Sequence, residues 1–110
     1  MTDLILSSGF TSFGVLLYNF GNYNSAIDNY SLAIQCNPQD ETAYVNRGIA
    51  RVVIAEYDAA IEDLNQTLQI NPQNAQAYAE RGLARAMIGE NETAIVDCSR
   101  AIELNPQYYR

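Results

Sequence analysis

Apolar residues in the middle of the chain recur at intervals of three and four. Tyr44, Gly48, Val52 and Ala55, flanked by Val45, Ile49 and Val53, follow the face of a helix. After Glu56-Tyr57-Asp58 a second run carries Ala60, Ile61, Leu64, Leu68 and Ile70 with the same period. Similar paired runs lie before and after this stretch, and none alternates as a strand would. Gly21 and Gly89 fall between the two runs of their pairs, where a residue with φ > 0 ends a helix at low cost. Asp58 is the expected N-cap of the second helix in the middle pair. Each second run stops at Asn-Pro-Gln, because proline has no N–H to donate and drives the preceding residue out of the helical region. The pattern predicts an all-α chain of about six helices of roughly 12–14 residues, joined by tight turns.

Pro38, Pro72 and Pro106 are 34 residues apart (72 − 38 = 106 − 72 = 34), so the chain reads as three copies of one helix pair. The expected units are 7–40, 41–74 and 75–108, after an N-terminal extension of residues 1–6. Ala43-Tyr44 matches Ala77-Tyr78, and Arg47-Gly48-Ile49-Ala50-Arg51 matches Arg81-Gly82-Leu83-Ala84-Arg85. The first unit keeps Gly14, Gly21-Asn22-Tyr23 and Ala26-Ile27 but otherwise diverges in its opening helix. Divergence is expected of an end unit, which lacks a neighbour on one side. Glycine inside a helix costs about 1 kcal/mol against alanine, so Gly14, Gly48 and Gly82 point to close helix crossings.

An early tyrosine, a glycine four residues on, Ala-Ile in the second helix and a closing proline, at a 34-residue period, resemble the tetratricopeptide repeat. The resemblance spans residues 7–108 and implies an α-solenoid of antiparallel helix pairs, wound as a right-handed superhelix. It also implies a concave groove lined by the first helix of each pair, used to bind other proteins. Groove residues are expected to be Thr11, Val15, Tyr18, Thr42, Val45, Asn46, Ile49, Val53, Ala79, Leu83 and Met87. Val45, Ile49 and Val53 form one apolar stripe, and Ala79, Leu83 and Met87 a second. Such stripes suit a peptide or an amphipathic helix, although core packing would give the same periodicity. Some members of the family grip the C-terminal carboxylate of chaperones with a clamp of Lys, Asn, Asn, Lys and Arg. The matching positions here are Thr11, Val15, Asn46, Gln76 and Glu80. Only Asn46 fits and Glu80 reverses a charge, so no such clamp is expected.

Charge narrows the partners further. The 110 residues hold 13 acids and six bases, all arginine, for a net charge of −7 without lysine or histidine. Nucleic acid and anionic membranes are therefore poor partners. No apolar run approaches the roughly 18 residues of a membrane span. Asp3 stands where a signal peptide needs a positive charge, and a cytoplasmic protein is expected. Without histidine or lysine the commonest general bases are missing, and no metal-ligand or phosphate-loop motif appears. Neither catalysis nor a cofactor is expected. Cys36 and Cys98 lie on second helices of different units, too far apart to bridge, and are expected as buried reduced thiols.

Arg47 and Arg51, like Arg81 and Arg85, share a helix face, and Asp63 and Asp97 each follow the first arginine of a pair by 16 residues (63 − 47 = 97 − 81 = 16). The first unit has Phe13 and Asn29 at these positions. Charges that come and go together suggest an ion pair between the helices of a unit. A site for an acidic peptide or phosphate is the competing reading. Arrays of this family usually close with a polar-faced extra helix, but no separate C-terminal capping helix is expected after Pro106. Ala94, Ile95, Cys98, Ala101 and Ile102 are then expected to face a second copy, or further units if the chain is a fragment of a longer array. Leu4, Ile5 and Leu6 are expected to cover part of the opposite end.

Overall fold

Three short polar side chains start three helices in the same way. Carboxylate or amide oxygens of Asp3, Asp40 and Asn74 accept the N–H of Leu6, Ala43 and Ala77 at 2.9, 3.0 and 2.9 Å. Each satisfies a donor that the first helical turn leaves unpaired. The helices they start are α1 (Leu4–Asn19), α3 (Glu41–Val53) and α5 (Ala75–Met87). Their partners are α2 (Tyr23–Cys36), α4 (Tyr57–Ile70) and α6 (Asn91–Leu104), followed by a 3₁₀ turn at Pro106–Tyr108. The computed structural model describes residues 2–108, so Met1, Tyr109 and Arg110 of the terminal segments lie outside the described residues. No strand occurs among them. The second helices begin at Asn22, Glu56 and Glu90 without a side-chain cap. Asp58 lies inside the first turn of α4 instead of capping it, so there it favours the helix only through its charge.

The turn within each pair reverses the chain through a left-handed residue. Gly21 and Gly89 take φ of 82° and 86°, as their positions predict, and the middle pair places Ala55 there at 64°. In all three turns the following N–H reaches back to a carbonyl of the preceding helix, from Asn22 to Leu17, Glu56 to Arg51 and Glu90 to Arg85, at 2.9, 2.8 and 2.8 Å. Ala55 carries a Cβ in a region that glycine occupies freely. Ala55→Gly is expected to stabilise the chain by about 0.5–1 kcal/mol, measured as a higher urea midpoint at constant m-value. A lower midpoint would refute the assignment of strain. At the other end of each pair, Asn37, Asn71 and Asn105 are extended, as a following proline requires. Their side-chain oxygens accept the N–H of Gln39, Gln73 and Gln107, which accounts for the Asn-Pro-Gln triplets.

The pairs stack in sequence order. Within a pair the two helices pack on each other, α2 packs on α3 and α4 on α5, and the first helices also touch their successors. An α-solenoid of three antiparallel pairs results, 38 × 25 × 24 Å in extent. Each hydrophobic cluster spans the junction between pairs. Tyr30 and Ala26 of α2 meet Ala50 of α3, and Leu64 and Leu68 of α4 meet Val45 of α3 and Ala77 of α5. The internal glycines permit the crossings. A Cβ on Gly14 would lie 2.5 Å from the Tyr30 ring, and one on Gly82 would lie 2.7 Å from the Cys98 sulfur.

Candidate functional site

The arginines settle into the structural role. Arg47 holds Asp63 with both ends of its guanidinium, Nε to Oδ2 at 2.9 Å and Nη2 to Oδ1 at 2.7 Å. Arg51 donates to the same Oδ2 at 2.8 Å. Arg81, Arg85 and Asp97 repeat the arrangement at 2.9, 2.8 and 2.7 Å. Both aspartates are buried, at 3 % and 2 % exposure. Arg47 and Arg81 also reach back to the preceding pair, donating to Ser31 Oγ at 3.0 Å and Asn65 Oδ1 at 2.8 Å. One guanidinium thus ties three helices. The charge that could have drawn an acidic ligand is spent inside the protein.

The residues expected to form one groove divide among three surfaces and the core. Val15, Tyr18, Asn46 and Ile49 come together, with Asn19, Tyr30 and Gln76, around a pocket of about 230 Å³. It lies between α1, α3 and α5, with Tyr30 of α2 as its floor. Thr11 and Thr42 line a separate crevice of about 320 Å³ with Ser7, Ser8, Ser12 and Asp40. Thr11 is mostly buried there, and its hydroxyl donates to Asp40 Oδ2 at 3.0 Å. Val45 is in the core, 5 % exposed against Leu64 and Ala77. Val53 stays exposed at the end of α3. Ala79 and Leu83 line a third pocket, about 570 Å³, with Ile95, Cys98 and Ile102 on the far side of the last pair, and Met87 is exposed. The two stripes are therefore not one surface. Helix α5 packs over Val45 and against part of Ile49 in the first, and nothing among the described residues covers Leu83 and Met87 of the second.

A family model described as TPR repeat matches residues 56–89, the second helix of the middle pair with the first helix of the last. No curated protein gives a significant match. The first TPR of Spaghetti (RPAP3), bound to the HSP90 peptide SRMEEVD, superposes with a TM-score of 0.95 at 27% identity over 98% of this chain and 86% of that one. The chain carries a tetratricopeptide repeat and has the fold of tetratricopeptide-repeat domains. The Arabidopsis OM64 TPR domain has a TM-score of 0.94 at 28% identity over 96% of this chain and 88% of that one. The second TPR domain of human RPAP3, in complex with the HSP70 peptide SGPTIEEVD, has 0.86 at 25% over 96% and 86%.

Within this tetratricopeptide array, Glu80 is the group that reasoning from periodicity left out of the groove. It stands one turn along α5 from Gln76, and its charge helps push up the pKa of the Tyr18 hydroxyl, after burial and Tyr23. Burial pushes its own carboxyl above the ordinary range. Burial, then Tyr18, pushes Tyr30 up to about 12. Glu80 and Gln76 were visible as the reversed or neutral members of the family's clamp positions, which is the signal that could have placed them.

The ends of the tetratricopeptide array also depart from expectation. On the face of the last pair, Ile95 and Ile102 are 66 % and 40 % exposed and Cys98 is half-buried. Ala94, 5 % exposed, lines the pocket on that face, whereas Ala101 is fully buried and not part of it. Both cysteines are free and half-buried, not fully buried as expected. Leu4, Ile5 and Leu6 extend α1 and remain exposed, so they do not cover the first pair. Phe13, Leu16 and Phe20 add an exposed apolar face on the same helix. No helix among the described residues is long and apolar enough to cross a membrane.

Proposed function

We propose that this tetratricopeptide array is a non-catalytic protein-interaction scaffold that holds a segment of a partner protein in the groove of α1, α3 and α5. The observation carrying this reading is the pocket where Val15, Tyr18, Asn46, Ile49 and Gln76 converge from all three first helices. Small concave sites with apolar walls and a few polar groups are the usual form of a recognition site. Similar structures hold the peptides SRMEEVD and SGPTIEEVD, which supports peptide capture as the activity. Acidic peptides of that kind are poor candidates for this chain. Thr11 is occupied by Asp40, Val15 is apolar and Glu80 would repel a carboxylate.

A second reading is favoured by the exposed apolar faces at the two ends, Leu83, Ile95 and Ile102 on one and Phe13, Leu16 and Phe20 on the other. These would serve end-to-end association of copies. One experiment separates the two readings. Peptides selected from a random display library on the full chain should bind Val15→Trp about tenfold more weakly, because the indole fills the pocket and displaces the ligand, a loss of about 1.4 kcal/mol. The double substitution Ile95→Glu with Ile102→Glu should leave that affinity unchanged. The opposite outcome, unchanged affinity in Val15→Trp and a loss of oligomer mass in the double variant, would favour assembly.

A further inference from the structure

Glu80 is an acid for which the fold provides no partner. The other carboxylates packed against neighbouring helices are satisfied. Asp63 and Asp97 hold arginines, Asp40 accepts from Ser7, Thr11 and Ala43, and Glu41 accepts from Asn71 and Asn74. Among the described residues Glu80 makes neither hydrogen bond nor ion pair, although it is half-buried beside the groove. Removing a carboxylate from water without a compensating partner is unfavourable. The adjoining pocket, which Gln76 lines one turn along α5 from Glu80, has the parts that a cationic side chain requires. Val15 and Ile49 offer apolar walls to a methylene stem. Tyr18, packed against Tyr23 with 5.2 Å between centroids and 70° between ring planes, brings an aromatic ring of the kind that attracts a cation. Asn46 and Gln76 add amide oxygens that accept hydrogen bonds.

Resting on the groove reading above, we propose that the segment captured there is anchored by a lysine or arginine side chain, whose charged head is received by Glu80 and Tyr18. Charge complementarity selects this occupant. The chain has a net charge of −7, and four of its arginines are committed to Asp63 and Asp97 and Arg100 to Glu103, so no free cation among the described residues competes for Glu80 inside the groove. An acidic segment such as SRMEEVD would instead set like charges side by side.

The test begins with random peptides selected on the full chain and on Glu80→Gln, which keeps shape and removes charge. Peptides selected on the natural chain should be enriched in lysine or arginine at one position. Replacing that residue by glutamine should weaken binding about tenfold on the natural chain and less than twofold on Glu80→Gln, as expected for a hydrogen-bonded charge pair. Glu80→Lys should reverse the preference and gain measurable binding of the peptide SRMEEVD. Backbone amide shifts should locate the bound peptide at Tyr18, Asn46 and Gln76. Peptides that bind at those residues with no cation, or that lose equal affinity on both proteins, would overturn the anchor and leave the groove intact. Shifts confined to Ile95 and Ile102, or no enrichment at all, would overturn the groove reading and the anchor with it.

Discussion

Replacing Asp63 with alanine should destabilise the protein by about 3 kcal/mol and lower its thermal midpoint by on the order of 15 °C. Asp63 is 3 % exposed and accepts three hydrogen bonds from two arginines. Its loss leaves two guanidinium groups side by side on one face of α3, with Ser31, the Tyr44 ring and a distant Glu56 contact at 3.9 Å as remaining partners. The arginine side chains are 17 % and 22 % exposed, so water recovers part of the cost. That keeps the estimate at the lower end of the range for breaking a buried pair. The first helix pair shows another solution at the same positions, with Phe13, Leu17 and Asn29 where the middle pair has Arg47, Arg51 and Asp63. Carrying all three changes into the middle pair should therefore restore stability to within about 1 kcal/mol of the natural chain, because an uncharged set removes the ionic desolvation cost together with the attraction, and the asparagine amide can bond its own helix as Asn29 bonds the Ser25 carbonyl. Calorimetry on both variants checks the argument. A fall below about 1 kcal/mol for Asp63→Ala would mean that the arginines do not depend on the carboxylate.

Leu64→Ala should cost a similar amount, about 3 kcal/mol, since the side chain is fully buried where α3, α4 and α5 meet. The more telling measurement is its coupling to Gly48. A Cβ added at Gly48 would lie 2.9 Å from Leu64 Cγ and Cδ2 and 3.4 Å from the Ala60 carbonyl oxygen. Gly48→Ala alone should therefore cost about 1 kcal/mol, with overpacking exceeding the roughly 1 kcal/mol gained in helix propensity. In the double variant the new methyl enters space that the leucine has left. The clash disappears and the propensity gain remains. The combined cost should be about 2 kcal/mol, not the 4 of an additive pair. Additive losses in urea unfolding would show that the helices relax apart instead of holding their crossing distance.

Both variants probe features that were readable before any coordinates. The co-occurrence of Arg47 with Asp63 and Arg81 with Asp97, and the absence of both from the first pair, suggested the ion pairs, with an acidic-ligand site as the competing reading. The glycines identified the crossings. Other residues were misplaced for a definite reason. Thr11 looked like a groove residue because it shares a helix face with Val15, yet Asp40 lies within reach of its hydroxyl and draws it inward. Glu80 was dismissed as a failed clamp position, and only its burial beside Tyr18 marks it as a candidate contact.

What the sequence alone determined is whatever depends on neighbours a few residues away: six helices, their turns at Gly21 and Gly89, and their stops at Asn-Pro-Gln. Helix periodicity and proline chemistry act locally, and repetition at 34 residues multiplies the signal. Tertiary structure decided exposure. Val45 and Ala79 occupy the same place in successive units, as do Ile49 and Leu83, yet the first member of each couple packs in or on the core while the second faces the pocket at the end of the array. Period reports which residues share a side of a helix. Which side is left open to a partner depends on whether another helix lies against it, and that is a property of the assembled stack.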